Sequence, residues 1–361
     1  MNIVFRTDAS VQIGTGHVMR CLTLADSMRE SGADCIFICR LYSGHLLDLI
    51  RQRGHKVIAL SIENSSTSTT IDVSIQHTTY FYMDWEIDVI NTQRAIGESI
   101  VDWLIVDHYA LDARWQKAMR QHCSRIMVID DLADRIHDCD ILLNQNLGRS
   151  IIDYNHRIPQ KAATLIGPRF ALLRPEFSAL RSESLARRRH PQLKHLIITM
   201  GGTDPHNVTE KVLHALRNCT LLTEVAITVV MGANAPWLER IQAIALNMPY
   251  PTEVKVNVAN MERLMVSSDL AIAAAGGTIW ELCTLGIPTL CIAIAKNQEA
   301  NGLALEAARA TQPINLYSVN QSINNFFVFT DFTRKLAEIQ KNASQICDGL
   351  GTSRVTYALM N

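Results

Sequence analysis

The sequence of 361 residues lacks the features that mark several protein classes. It contains no run of about 18 apolar residues, so no membrane span is expected. The opening residues, MNIVFRTD, reach Asp8 without the long apolar stretch of a secretory signal. Basic residues are not in excess, and the formal net charge of -1 argues against a nucleic-acid partner, which usually selects a basic protein.

Paired cysteines are also missing. The nine cysteines are odd in number, and no two of them form a Cys-x-x-Cys pair. Most lie in apolar runs, where a free cysteine behaves as a small hydrophobic residue. A disulfide framework or a zinc site is therefore not expected, and a reducing, cytoplasmic location fits this usage.

Short apolar runs alternate with helical patterns along most of the chain, which indicates parallel sheets covered by helices on both faces. The sequence predicts an α/β fold with two Rossmann-like, doubly wound domains facing across a cleft. The expected domains span residues 1–172 and 173–345, and residues 346–361 are expected to form a helix that packs back. A Ser/Thr-rich stretch, Ser65 to Thr70, interrupts the alternation and is typical of an exposed loop. The predicted strands cover residues 3–5, 35–39, 57–60, 103–106, 126–129, 196–200, 225–230, 254–256, 270–273 and 289–292, and the predicted helices include 17–30, 44–53, 113–121 and 206–216.

A glycine-containing loop between the first strand and the first helix is the first candidate site. Gly14 and Gly16 would let the backbone approach a ligand closely, but the third glycine of a dinucleotide fingerprint is absent, since position 19 is methionine. His17 follows at the helix start, where the helix dipole favours a neutral imidazole that can accept a proton. Asp8 could orient that ring or bind substrate. A capping or packing histidine and a turn-forming aspartate are the structural alternatives.

Two further loops in the second half connect a strand to a helix. Gly202 lies in a turn whose amides could hold a phosphate, unless it is an ordinary tight turn. In the other loop, Gly276, Gly277 and Thr278 open a helix and Glu281 lies one turn inside it. This spacing suits a nucleoside diphosphate, with the helix start on the diphosphate and the carboxylate on the ribose hydroxyls. Downstream amide side chains, Gln298 and Asn301, follow the next strand.

Smaller polar clusters also stand at expected strand ends or near the domain boundary. They are Asp107–His108–Tyr109, Asp130–Asp131 and Arg174–Pro175–Glu176–Phe177. Each is a candidate for the site, and each is also explained as a cluster that stabilises a loop.

These motifs resemble two related families. The Gly276–Thr278, Glu281 and Gly286–Pro288 stretch, with Gln298 and Asn301, is similar to the UDP-binding half of the glycosyltransferase B fold, as in the transferase that adds N-acetylglucosamine to the peptidoglycan precursor. The first half resembles a narrower family, the UDP-sugar hydrolases of pseudaminic acid biosynthesis, and the later motifs follow that family's order. The motifs that carry this second resemblance are residues 6–21, 106–109, 129–132, 167–177 and 200–205.

The resemblance implies a UDP-sugar substrate, UDP-2,4-diacetamido-2,4,6-trideoxy-β-L-altropyranose, cleaved by water with inversion at the anomeric carbon. It implies that His17 is the general base, that Tyr109 and Arg174 line the substrate site and that Glu281 binds ribose. No cofactor is expected, a metal is optional because UDP is a good leaving group, and the sequence is compatible with a monomer without stable membrane association. A glycosyltransferase using a UDP-amino-sugar donor and a non-catalytic nucleotide-sugar sensor are the alternatives.

Overall fold

The computed structural model describes residues 1–62, 84–219, 224–328 and 331–361. The Ser/Thr-rich stretch Ser65 to Thr70 lies outside the described residues. The chain divides into two compact units, one of Met1–Leu172 with Ser353–Asn361, the other of Leu173–Thr352.

The first unit is built on seven parallel strands among the described residues, in the order β3-β2-β1-β4-β5-β6-β7. The order reverses between β1 and β4, which makes this position the switch point of a doubly wound sheet. The strands are β1 (Asn2–Thr7), β2 (Asp34–Arg40), β3 (Lys56–Leu60), β4 (Val101–Asp107), β5 (Cys123–Ile129), β6 (Ile141–Asn144) and β7 (Ala163–Ile166). The helices of the first part of the chain are α1 (Gly16–Glu30), α2 (Leu47–Gln52), α3 (Trp85–Ile96) and α4 (Ala113–Met119).

Apolar side chains cover both faces of this sheet. Because strand side chains alternate, Phe5 joins one buried cluster while Val4 joins another on the opposite face. The chain returns to this unit at its C-terminus, where Val355 and Leu359 enter the same cluster as Phe5. The indole N–H of Trp103 donates to the Leu359 carbonyl at 3.0 Å, which fixes the returning helix on the sheet.

The second unit repeats the strand order in a six-stranded parallel sheet, β10-β9-β8-β11-β12-β13, within the described part of the chain. Its switch point lies between β8 and β11. The strands are β8 (His195–Thr199), β9 (Ala226–Met231), β10 (Thr252–Val256), β11 (Leu270–Ala274), β12 (Thr289–Ile292) and β13 (Gln312–Pro313). The remaining helices are α5 (Pro175–Arg187), α6 (Val208–Arg217), α7 (Leu238–Ala245), α8 (Met261–Ser267), α9 (Thr278–Thr284), α10 (Lys296–Ala307), α11 (Val319–Phe327), α12 (Phe332–Ile346) and the returning α13 (Gly351–Met360).

The two parallel, doubly wound sheets confirm the predicted fold class. Several boundaries differ from the sequence prediction. Helix α4 ends at Met119, two residues early, because Arg120–His122 continue as a 3-10 turn. Helix α6 starts at Val208 instead of residue 206, because Asp204 caps it from outside. The strands β6 and β7 were not predicted: they are four residues long, so their periodicity is short.

Candidate active site

Three strands of the first unit end beside the glycine-containing loop. Thr7, at the end of β1, is in register with Asp107 at the end of β4. Strand β5, which pairs with β4, ends just before Asp130 and Asp131. The carboxyl ends of parallel strands meet at one edge of the sheet, and this edge lies at the switch point, where doubly wound folds bind their ligands.

Local hydrogen bonds shape the loop that leads into α1. Ser10 accepts at its carbonyl from the amide of Gly14 at 2.9 Å and at its hydroxyl from the amide of Ile13 at 2.9 Å. Gly14 has φ of +81°, a backbone conformation that side-chain-bearing residues rarely adopt. Gly16 is exposed and opens α1, and Thr15 makes no side-chain cap to it. His17 thus sits in the first turn of the helix, where it is 8% exposed.

The His17 ring meets a carboxylate from β4. Its Nδ1 lies 2.7 Å from Asp107 Oδ1, and Nε2 makes no hydrogen bond to the described residues. Burial by itself would raise the pKa of Asp107, but the Arg20 guanidinium, followed by His17, holds the pKa of that carboxyl well below its usual range. Asp107 is therefore an ionised acceptor beside the ring.

Arg20 lies one turn after His17 and bridges two carboxylates. Its Nε and one terminal nitrogen donate to the two oxygens of Asp107, each at 2.7 Å. The same guanidinium donates to both oxygens of Asp131 at 3.0 and 2.8 Å. Tyr109 donates its hydroxyl to Asp131 at 2.7 Å and sets its ring edge-on to His17, with 4.7 Å between centroids. The structure thus brings the predicted His17 and Tyr109 together.

Of the two roles considered for Asp8, orienting the His17 ring is excluded, because Asp107 contacts the ring instead, while substrate binding stays a prediction. Strand alternation puts Asp8 on the face of Arg6, which lies 2.8 Å from it, while Asp107 occupies the face of α1. Asp8 also accepts from the Arg40 amide at 2.7 Å and contacts His108 Nε2 at 3.3 Å. It is 1% exposed and belongs to a buried ion cluster on the face of the sheet opposite to α1.

In the second unit, the loop that carries Gly202 is closed by its own aspartate. Asp204 accepts from the amides of Val208 and Thr209 at 2.9 and 2.8 Å, so it satisfies the start of α6. The Gly202 carbonyl accepts from the Gly232 amide at 3.1 Å, where a Cβ at position 232 would overlap it. These contacts favour the structural alternative for this turn, since a ligand phosphate would compete with Asp204.

The loop between β11 and α9 keeps its backbone accessible. No side chain caps α9, and Gly277 is exposed while Gly276 and Thr278 are partly exposed. Two amide side chains of α10 support the loop: Asn301 donates to the Ala275 carbonyl at 3.1 Å, and Gln298 lies against Gly276. Asn301 is 3% exposed, which suits a residue that positions the loop from below.

Glu281 has an unusual environment among the described residues. Burial raises its pKa to about 7, with a smaller lowering by the Arg174 guanidinium. Arg174 itself pairs with Glu262 at 2.8 Å, so the structure brings together Arg174 and two carboxylates. The Glu281 carboxylate makes no hydrogen bond within the described residues and can accept one from a ligand.

In the sequence, Asp107 and Asp131 stand only as members of small polar clusters, and neither Arg20 nor Glu262 was predicted to have a role. The spacing of Arg20, three residues after His17, was the available signal, since side chains at that spacing share a helix face. The contact of Glu262 with Arg174 joins positions 88 residues apart, and no local pattern indicates it.

Within the described ranges, no group of three or more His, Cys, Asp or Glu side chains is arranged to hold a metal ion. No helix in the same ranges combines the length and the apolar character needed to cross a bilayer.

Comparisons with known proteins support this organisation. Residues 196–345 match the glycosyltransferase family 28 C-terminal domain. An uncharacterised protein of Methanocaldococcus jannaschii is 26% identical over 81% of this chain. The match spans only 55% of that protein's own length. The UDP-2,4-diacetamido-2,4,6-trideoxy-β-L-altropyranose hydrolase of Campylobacter jejuni is 28% identical over 83% of this chain and 94% of its own length.

A solved structure extends the likeness to the whole fold. MurG of Acinetobacter baumannii superposes with a TM-score of 0.66 at 15% identity, covering 99% of each chain. The chain thus has the two-domain glycosyltransferase B fold; its residues 196–345 match the glycosyltransferase family 28 C-terminal domain, and most of its length resembles the Campylobacter hydrolase.

Proposed function

We propose that this protein hydrolyses UDP-2,4-diacetamido-2,4,6-trideoxy-β-L-altropyranose to UDP and the free 2,4-diacetamido-2,4,6-trideoxy-L-altrose, in pseudaminic acid biosynthesis. The observation that carries the proposal is the contact of His17 with Asp107, which leaves Nε2 open, in a chain similar to a hydrolase of that name over 83% of its residues. A histidine held in this way is suited to take a proton from water.

In the proposed reaction, His17 activates a water molecule that attacks the anomeric carbon, and UDP leaves from the opposite face. The product is therefore inverted, and the transition state has oxocarbenium character. UDP needs little protonation to leave, because the second pKa of a phosphate is about 6. Hydrogen-bond donors for the developing charge are sufficient, so neither a metal nor a cofactor is required.

The second unit supplies the nucleotide site in this proposal. Glu281 accepts hydrogen bonds from the ribose hydroxyls, and the absence of a hydrogen bond to its carboxylate among the described residues supports that assignment. The backbone of Gly276, Gly277 and Thr278 approaches the diphosphate, while Gln298 and Asn301 hold that loop in place. The match to a glycosyltransferase domain over residues 196–345 supports the assignment of nucleotide binding to the second unit.

In the first unit, the sugar is assigned to the loop of Gly14 and Gly16 and to Tyr109. In the second unit, Arg174 is a proposed substrate contact. Both side chains are already ordered, Tyr109 by Asp131 and Arg174 by Glu262. Asp8 and Gly202 stabilise the loops that carry the site, Asp8 by accepting from the Arg40 amide and Gly202 by accepting from the Gly232 amide.

The test is to mix the purified protein with the UDP-sugar and follow UDP release while NMR identifies the sugar product. We expect UDP and free sugar in equal amounts, with the inverted anomer formed first and with activity retained in EDTA. The retained anomer as first product would overturn the inverting mechanism, and absence of UDP release would overturn the hydrolase assignment.

A glycosyltransferase with a UDP-amino-sugar donor is the second candidate, because the matched domain and the MurG fold both belong to glycosyltransferases. In that case water is a poor acceptor, so UDP release would be slow until an acceptor sugar or lipid is added. Mass spectrometry of the acceptor distinguishes the two activities.

A further inference from the structure

The contacts around His17 define a positioning device as well as a base. We propose that Asp107 fixes the tautomer of His17, so that Nδ1 carries the proton and Nε2 presents its lone pair, and that Arg20 fixes Asp107 by bridging it to Asp131. This inference rests on the proposed hydrolysis for its kinetic consequences, but the tautomer itself can be observed without any reaction.

The tautomer follows from what each neighbouring atom can do. An ionised Asp107 only accepts hydrogen bonds, and its Oδ1 lies 2.7 Å from Nδ1. If Nδ1 lacked a proton, two lone pairs would face each other at that distance, which is repulsive. The Arg20 nitrogen lies farther from Nδ1, at 3.3 Å, and already donates to Asp107 and Asp131 at 2.7 and 2.8 Å. The proton therefore lies on Nδ1.

Arg20 determines the orientation of the Asp107 carboxylate. Planar two-point pairing fixes the carboxylate in rotation as well as in position, which a lysine cannot do. The second pair, to Asp131, prevents the guanidinium from turning. Tyr109 completes the arrangement, because its hydroxyl holds Asp131 and its ring edge borders the imidazole.

The groups that face His17 come from several elements. They are Arg20 of α1, Asp107 of β4, Tyr109 of the following loop and Asp131, reached through Arg20. Cys21 contacts Asp107 at 3.6 Å, and burial raises the pKa of its thiol, so it stays neutral. Arg135 lies over the Tyr109 ring, 5.6 Å from its centroid. The charges of Asp107 and Arg20 are thus the ones that act on the ring at hydrogen-bond distance.

The first experiment is NMR of the full-length protein with its histidines labelled with ¹⁵N, in which the His17→Asn variant identifies the His17 signals. At pH about 8 we expect a protonated Nδ1 and an unprotonated Nε2 for His17 in the native protein. A native ring protonated at Nε2 overturns the proposal, whether or not the protein hydrolyses the proposed substrate.

The second experiment is the Asp107→Asn variant. Both oxygens of Asp107 accept from Arg20, so in either orientation the NH₂ group of the introduced asparagine would face an Arg20 donor. The asparagine therefore cannot keep the position of Asp107, and His17 loses its fixed acceptor. We expect kcat to fall about 100-fold, with KM and UDP affinity changed less than about threefold, in line with other base-orienting carboxylates. The NMR measurement should show a mixed His17 tautomer in this variant. An unchanged kcat with an unchanged His17 tautomer overturns the proposal, while a loss of turnover in His17→Asn leaves the hydrolase assignment standing.

Two variants separate positioning from stability. Asp88→Asn alters a carboxylate equally buried in the same unit and held by Arg6 and Arg40 on the other face of the sheet. It should lower Tm without changing the His17 tautomer. Arg20→Lys keeps the charge but loses the two-point pairing, and we expect a kcat about tenfold lower and a mixed His17 tautomer. This variant tests the proposal even if Asp107→Asn fails to fold, and a native rate with a single Nδ1–H tautomer would contradict it.

Discussion

At the scale of single residues, His17 is the group on which turnover depends in the proposed reaction. We expect His17→Asn to lower kcat by at least about 100-fold, since loss of a general base typically costs 10²- to 10⁴-fold. UDP affinity should stay within about twofold, because the nucleotide is assigned to the second unit. Stopped assays of UDP release and calorimetric titration with UDP measure the two quantities, and near-native turnover would exclude His17 as the base.

Glu281 should make UDP binding depend on pH. Its pKa is raised to about 7 by burial, so in the free protein the carboxyl is largely neutral below that pH and ionised above it. An ionised carboxylate accepts hydrogen bonds from ribose more strongly, so affinity should rise as pH increases from about 6 to 8. Glu281→Gln should weaken binding about tenfold at pH 8, as expected for a lost hydrogen bond to a charged group.

The Glu281→Gln variant is also the control for the ionisation of UDP itself, which changes in a similar pH range. Titration calorimetry of both proteins at several pH values separates the two effects. An identical pH dependence in native protein and variant would show that Glu281 does not bind the nucleotide.

At the scale of secondary structure elements, Asp204 defines the start of α6. Both of its oxygens accept helix amides, and its φ of +41° is one that aspartate and asparagine tolerate better than most residues. Asp204→Ala should cost about 1–2 kcal/mol in free energy of unfolding, which corresponds to a Tm lower by about 2–8 °C. Asp204→Asn should lose less stability than Asp204→Ala, because its side-chain oxygen can still accept one helix amide. Differential scanning calorimetry checks this, and equal Tm values for native protein and Asp204→Ala would contradict the capping role.

The elements also show what local sequence patterns can predict. The helix that follows Gly16 was predicted to within one residue, because apolar positions and a glycine start agree there. The edge strands β6 and β7 were not predicted, since four residues give too little periodicity, and their pairing partners lie elsewhere in the sequence. Likewise, Asp8 does not contact His17, because strand alternation places it beside Arg6, and which face of the sheet α1 covers is set only by the tertiary structure.

At the scale of the whole molecule, charge burial is concentrated in the first unit. Burial by itself raises the pKa values of Asp8, Asp88, Asp107 and Asp130, but neighbouring arginine and histidine side chains hold all four below the usual range. A carboxyl group whose pKa is lower in the folded than in the unfolded protein stabilises the fold at pH values above its unfolded-state pKa of about 3.9. This stabilisation is lost as the pH falls towards the folded-state pKa. The first unit should therefore lose stability below pH about 4, before the second.

Tryptophan emission can follow that unit alone. Replacing both tryptophans of the second unit, Trp237 and Trp280, by phenylalanine leaves Trp85, Trp103 and Trp115 of the first unit as the emitting residues. We expect the emission shift of this variant to occur at a higher pH than the final loss of far-ultraviolet circular dichroism, to which the second unit contributes. A single coincident transition, with Tm independent of pH between about 3 and 5, would contradict the assignment.

The class of fold, and the loops in which function is proposed, follow from the amino-acid sequence. Alternating apolar runs are local signals of buried parallel strands, and glycines at helix starts mark backbone that a ligand can approach. Tertiary structure alone decided which polar side chains meet. Arg20, Asp107 and Asp131 come together only because β1, β4 and β5 are neighbours in one sheet. Hydrogen bonding depends on distances between atoms, and those distances are set by strand order and register, which residue spacing along the chain does not encode.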